Sequence, residues 1–178
     1  MNFPDTFPNL DSERLVLRAI TSTDKIAIFK LRTNKAINVF IQRDTPKNLN
    51  EADGFIQTCL EEFEKKRRIF WGIRLKESYE LIGSIVFHQI NSNQRYAEIG
   101  YEIHPDYQQD GYMSEALNTV LDYGKHILKL KTIEAFTHQN NVASIALLKR
   151  YGFSLSETKE DPIIAENRVF VLDLNETI

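Results

Sequence analysis

Hydrophobic and polar residues alternate over residues 13–20 (ERLVLRAI), with Leu15 and Leu17 on one face and Arg14 and Arg18 on the other. Period two is the signature of a strand with one buried face. The stretch TSTD (residues 21–24) then reads as a capping box that opens a short helix through about Thr33. A second helix begins near Asn50, where Phe55, Cys59, Leu60 and Phe63 recur at three-to-four spacing. Three apolar runs follow, FWGIRL (70–75), LIGSIVFHQI (81–90) and YAEIGYEIH (96–104), separated by short polar segments. Such spacing predicts an antiparallel meander.

After a polar loop the period changes again. Leu117, Val120, Leu121, Gly124, Ile127 and Leu128 mark one face of a long helix, and TIEAFTH (132–138) predicts a further strand. NVASIALLKRYGF (141–153) reads as a helix with Asn141 at its N-cap and Gly152 closing it, and NRVFVLDL predicts a terminal strand. A strand-helix-strand-helix half behind a meander predicts an α/β (α+β) fold: a single mixed, mostly antiparallel sheet of about seven strands flanked by about four helices.

Composition adds bounds. The chain of 178 residues shows no repeat and no linker-like tract, so residues 1–178 read as one domain. It is 42% hydrophobic and 26% charged, an ordinary globular balance. A net charge of −3 argues against nucleic acid as a partner held by bulk charge. The basic run EKKRR (64–68) suits a helix C-terminus. Cys59 stands alone, which excludes an internal disulfide and a multi-cysteine zinc site. His88, His104, His126 and His138 lack ligand spacing, so no metal is expected. Cys59 and Trp71 read as core residues. No signal-peptide-like segment and no apolar run long enough to span a bilayer appears, so no membrane partner and a cytoplasmic location are expected.

The loop IHPDYQQDGYMSEAL (103–117) carries the first hint of chemistry. A strand gives way to a helix through Gly111. Helix N-termini present unpaired N–H groups and the positive end of the helix dipole, a setting for a phosphate. A glycine there lets backbone approach a ligand closely, although many plain connectors also contain one.

Read in order, four segments resemble the GNAT acetyltransferase superfamily, in particular the branch of ribosomal-protein N-acetyltransferases. SERLVLR (12–18) is similar to that branch's opening strand and LIGSIVF (81–87) to its third. AEIGYEIHPDYQQDGYMSEAL (97–117) resembles its acetyl-CoA motif, and NVASIALLKRYGF its second CoA motif. The resemblance implies that residues 108–113 follow the family pattern Q/R-x-x-G-x-G/A, whose N–H groups cradle the pyrophosphate of acetyl-CoA. It assigns Ile103, Gln108, Gln109 and Asp110 to the cosubstrate. Gly111, Tyr112, Met113 and Ser114 join them from the helix start, and Asn141, Ser144 and Arg150 from the second motif. Two positions depart from the pattern: Asp110 where Lys or Arg is common, and Met113 where Gly or Ala is usual. A strand splayed beyond a bulge near residues 101–103 is also implied.

The resemblance implies an acetyl-CoA-dependent N-acetyltransferase. The acetyl group passes to a primary amine by direct attack. The acceptor is a protein N-terminal amine such as that of a ribosomal protein, or a small amine or polyamine. A non-catalytic acyl-CoA-binding module is the alternative. Many relatives pair as homodimers. Glu98 matches the glutamate that serves as base elsewhere in the superfamily. On strand alternation it shares a face with Glu102, and two such carboxylates can raise one another's proton affinity. Leu148 stands where many members have a tyrosine acid; the resemblance to the ribosomal-protein branch implies Ser144 as the acid, and the other reading makes it simply a member of the helix cap. Asn141 either binds CoA or caps its helix. Arg150 either meets phosphate or suits the helix C-terminus.

Overall fold

A computed structural model describes residues 1–175. Its centre is one eight-stranded sheet in the order β1-β2-β3-β4-β5-β6-β8-β7. The strands are β1 (Leu10–Asp11), β2 (Leu15–Ala19), β3 (Ile69–Leu75), β4 (Leu81–Asn91), β5 (Tyr96–Ile103), β6 (Thr132–His138), β7 (Ser154–Leu155) and β8 (Asn167–Asp173). All neighbours pair antiparallel except β5 and β6. The helices are α1 (Lys25–Thr33), α2 (Lys35–Asn38), α3 (Leu49–Glu64), α4 (Tyr112–Tyr123) and α5 (Val142–Arg150). The expected mixed, mostly antiparallel sheet is present, with eight strands in place of about seven. The additional elements β1, β7 and α2 are too short to show a period.

Local chemistry sets the boundaries. The capping box at residues 21–24 forms, with the Thr21 N–H donating to Asp24 Oδ2 at 2.8 Å, and it opens a 3₁₀ turn that leads into α1. Asp24 also pairs with Arg74 Nη2 at 2.7 Å, fixing that corner to the sheet. The Asn34 side chain accepts from the N–H groups of Ala36 and Ile37 and so starts α2. Asn48 caps α3, accepting from the Glu51 N–H at 3.0 Å.

The sheet is buried on both faces. One core combines Leu15, Leu17, Trp71, Phe87 and Ile99 with Leu117 and Val120 of α4. The other places Ile20 and Phe70 against Ile28 of α1 and Ile56 and Cys59 of α3. Trp71 is fully buried, and its indole N–H donates to the Pro8 carbonyl at 2.7 Å. Phe87 and Tyr123 meet it edge-on, each 5.9 Å between ring centres.

The helix after the polar loop departs from expectation. It is α-helical only to Tyr123 and then widens into a π-helical turn, Gly124–Leu128. A Cβ on Gly124 would stand 3.0 Å from Phe87 Cζ, so the backbone is pressed onto the core there. The wider turn shifts later positions out of the 3.6-residue register. Ile127 is therefore 54% exposed rather than on the buried face.

Candidate active site

β5 and β6 begin together and then part. Their parallel pairing covers only residues 96–99 against 132–135. Beyond Ile99, β5 stays hydrogen-bonded to β4, while β6 follows β8 to His138. The two central strands therefore diverge, leaving one edge of residues 100–103 without a strand partner. The expected bulge at residues 101–103 is not what opens them: the β4 register runs unbroken from Gly83 opposite Ile103 to His88 opposite Glu98. Two cavities flank the opening. The first, of about 470 Å³, is lined by the polar loop and the starts of α4 and α5. The second, of about 450 Å³, is lined from β3, β4, α1 and α3. They share Ile41, Tyr101 and Glu102.

The loop into α4 leaves its first backbone N–H groups uncapped. Gln109 (φ +69°) and Gly111 (φ +81°) both take the left-handed conformation, which turns the chain sharply. Gly111 is the N-cap of α4, and no side chain caps the helix. Its first N–H groups are thus left for a ligand. Gln108 Nε2 donates to the Ile103 carbonyl at 3.3 Å, tying the loop to the strand end. Arg14, just before β2, braces the loop. Its guanidinium bonds the Asp110 carbonyl at 3.1 Å and Glu115 at 2.8 Å, and stacks over the Tyr112 ring at 4.3 Å. The Asp110 side chain is exposed and does not line the cavity. These groups fit a CoA pyrophosphate.

A pair of hydroxyls stands at the base of the opening. Tyr101 Oη lies 2.9 Å from Ser144 Oγ. Burial pushes the Tyr101 phenol up to about 12, against the opposing pull of its bond to Ser144. Asn141 caps α5 by accepting from the Ser144 N–H at 3.2 Å, and it lines the cavity as well, so the two expected roles coexist. Leu148 is fully buried. Tyr151 Oη donates to the Ser114 carbonyl at 2.7 Å, joining the start of α4 to the end of α5.

The carboxylates do not act as a pair. Glu102 is buried, accepts from Ser84 Oγ at 3.2 Å and lies 2.6 Å from Arg43 Nη2. Glu98 faces Glu134 across the parallel strands. Tyr96 Oη donates to both, at 3.2 Å and 3.0 Å, and Lys159 ion-pairs with Glu134. Burial pushes the Glu98 carboxyl up; the Tyr96 hydrogen bond opposes this and the Glu134 charge adds to it. Glu98 lines neither cavity, but it reaches one through a neighbour. His88 Nδ1 lies 3.6 Å from Glu98 Oε2, and His88 lines the second cavity. A Cβ at Gly100 would stand 3.9 Å from His88 Nε2, so that nitrogen lies beside Gly100 on the wall of the second cavity.

The sequence model described as Acetyltransferase (GNAT) domain matches residues 14–154. The chain belongs to the GNAT acetyltransferase family. A Bacillus subtilis protein named uncharacterized N-acetyltransferase YoaA is 39% identical to this GNAT chain over 147 residues, 83% of each. The fold is also that of ribosomal-protein-S5-alanine acetyltransferase from Vibrio fischeri, with a TM-score of 0.82 at 17% identity over 95% of this chain and 98% of that one. Spermidine N-acetyltransferase from Vibrio cholerae, solved with CoA and spermine, gives a TM-score of 0.79 at 20% identity over 90% and 96%. The chain is thus an acetyl-CoA-dependent N-acetyltransferase whose acceptor is an amine.

Of the residues that the sequence assigns to the GNAT cosubstrate, Ile103, Gln108, Gln109, Gly111, Tyr112, Met113, Ser114, Asn141 and Ser144 gather along one cavity. Asp110 and Arg150 lie outside that lining, both exposed. Sequence reasoning missed Arg14, which is distant in the chain, and Tyr101, whose alternation places it opposite Glu98 and whose hydroxyl takes up the place beside Ser144. It also missed His88, for which only the β4–β5 register gives a signal. Among the described residues no group of three or more His, Cys, Asp or Glu is placed to hold a metal ion. No helix of the described residues is long and apolar enough to cross a membrane.

Proposed function

We propose that this GNAT enzyme binds acetyl-CoA between β5 and β6 and passes the acetyl group to a primary amine entering from the second cavity. The observation that carries the reading is the Tyr101–Ser144 hydroxyl pair where the two cavities meet, beside an uncapped helix start. The thioester supplies an activated acetyl group, and the site's main contribution is to hold the two reactants in line. Free N–H and C=O groups on the open edge of residues 100–103 align the pantetheine arm. The ammonium loses its proton toward His88, which Glu98 orients and backs as the ultimate acceptor. The amine nitrogen bonds the acetyl carbon, the carbon–sulfur bond breaks, Ser144, paired with Tyr101, protonates the leaving sulfur, and the second nitrogen proton restores that hydroxyl pair.

A binding-only module would be favoured by a charge clash at Asp110 and by the lack of a tyrosine acid. The exposure of Asp110 and the place of Tyr101 speak against both. Fold neighbours that act on a ribosomal protein's alanine and on spermidine bracket the acceptor. The second cavity's own chemistry distinguishes between such acceptors. Release of free thiol from acetyl-CoA in the presence of amines tests the transfer. Glu98→Gln should lower turnover roughly 10²- to 10⁴-fold, the usual size of a general-base effect. Unchanged turnover at saturating amine would sink the role of Glu98.

A further inference from the structure

The second cavity is lined by Arg32, Arg43 and Arg68, with Glu102 as its only carboxylate. Arg43 lies 2.6 Å from Glu102 and is neutralised by it. Arg32 lies flat over the Phe55 ring at 3.8 Å and donates to the Asp44 carbonyl at 3.4 Å. Arg68 has Cys59 Sγ at 3.8 Å. Among the described residues neither Arg32 nor Arg68 forms an ion pair. Both are half-buried. Placing unpaired cations in a partly dry cavity costs free energy unless an anion joins them.

Glu102 is already committed to Arg43. Its Oε2 is buried and accepts no aligned hydrogen bond, although Arg43 stands close by. It borders both cavities beside Tyr101. With the Glu102 charge taken up by Arg43, the cavity keeps a net positive balance, and its far wall offers an anion two guanidiniums that lack an ion-pair partner. A polyamine matches this poorly, since its second cation would face Arg32 and Arg68. A cavity of about 450 Å³ takes a body of small-molecule size.

We infer that the acceptor is a small primary amine that also carries a carboxylate, held by Arg32 and Arg68 with its amine toward the junction of the two cavities. The inference rests on the transferase reading above. Proton traffic agrees with it. Burial and then the Arg68 charge hold the His88 imidazole down to about 4. A bound carboxylate would offset the Arg68 charge, the lesser of these two effects, and leave burial as the larger. In the transfer the ammonium gives one proton to His88, the carbon–nitrogen bond replaces the carbon–sulfur bond, the thiolate takes a proton from Ser144, and the second nitrogen proton returns to the Ser144–Tyr101 pair, leaving amide and free thiol. No other reactant is needed.

The test compares thiol release from acetyl-CoA with glutamate, glutamate α-amide, glutamine, β-alanine, β-alanine amide, spermidine and a C-terminally amidated neutral peptide. The α-amide and glutamine separate the two carboxylates of glutamate. The expected result is kcat/KM roughly 10- to 100-fold higher for an acid than for its amide, the scale of a charge-assisted bidentate contact. Arg68→Gln and, on a different segment, Arg32→Gln should each shrink that ratio, mainly through the KM of the acid. Stabilisation by acetyl-CoA serves as the folding check for both variants. Spermidine, the peptide or an amide used as well as the acids would overturn the inference while leaving the transferase reading intact. So would an acid-to-amide ratio untouched by both variants. Thiol release with none of these amines, in protein that acetyl-CoA still stabilises, would overturn the transferase reading and the inference together.

Discussion

Tyr101 connects the two reactants, bordering both cavities with its hydroxyl against Ser144. With the phenol pushed up to about 12 it keeps its proton at neutral pH and can replace the one that Ser144 gives up. Tyr101→Phe should lower kcat roughly 10²-fold with the affinity for acetyl-CoA unchanged, as single-turnover thiol release and titration will read. His88 carries a pH signature of its own. Its ordinary value is 6.5 and the folded value is about 4. As pH falls through that window the unfolded chain takes the proton and the folded chain does not, so stability drops; below about 4 both hold it and the loss levels off. Tm measured across the window should fall less steeply in His88→Gln. Glu98, whose carboxyl is raised, works in the opposite sense near its ordinary 4.5. Sequence reading reached Asn141 because a helix cap is local in the chain, and Ser144 through the resemblance to the ribosomal-protein branch. It could not see that Glu98 faces Glu134, since that neighbour is fixed by strand pairing across a crossover.

Elements with a sustained period were legible, and the irregular ones were not. The strands of the meander and the apolar stripe of α3 follow from alternation and three-to-four spacing. The two-residue strands, the one-turn α2 and the π-helical turn after α4 carry no period to read. The loop before α4 was readable because Gly111 marks it, and its φ of +81° gives the reason. Gly111→Ala would force a side chain into the left-handed region at about 1–2 kcal/mol. Urea unfolding should show that loss, and acetyl-CoA should bind more weakly to the displaced N–H groups. Equal affinity in the variant would argue that the loop serves only as a connector.

For the whole molecule, acetyl-CoA should act as a clamp across the divide between β5 and β6, because its site draws on α4, α5 and the segment around α2 together. At 100 times its Kd a ligand adds about 2.7 kcal/mol, which for a chain of this size is a rise of about 5–10 °C in Tm. Adenosine, lacking the pyrophosphate, should give little. The order of elements announced the sheet and the cleft. The convergence of Arg32, Arg43 and Arg68 did not announce itself, because residues on α1, after α2 and before β3 meet only after folding. Trp71 bears on how all of this can be watched. It is the chain's single tryptophan, fully buried and hydrogen-bonded to Pro8, and it lines neither cavity. Its fluorescence therefore reports whether the N-terminal arm and the core are in place and stays constant as substrates come and go. A change in that emission during a titration signals unfolding, and a tryptophan introduced at Phe40, on the wall of the cleft, would supply a second colour for occupancy.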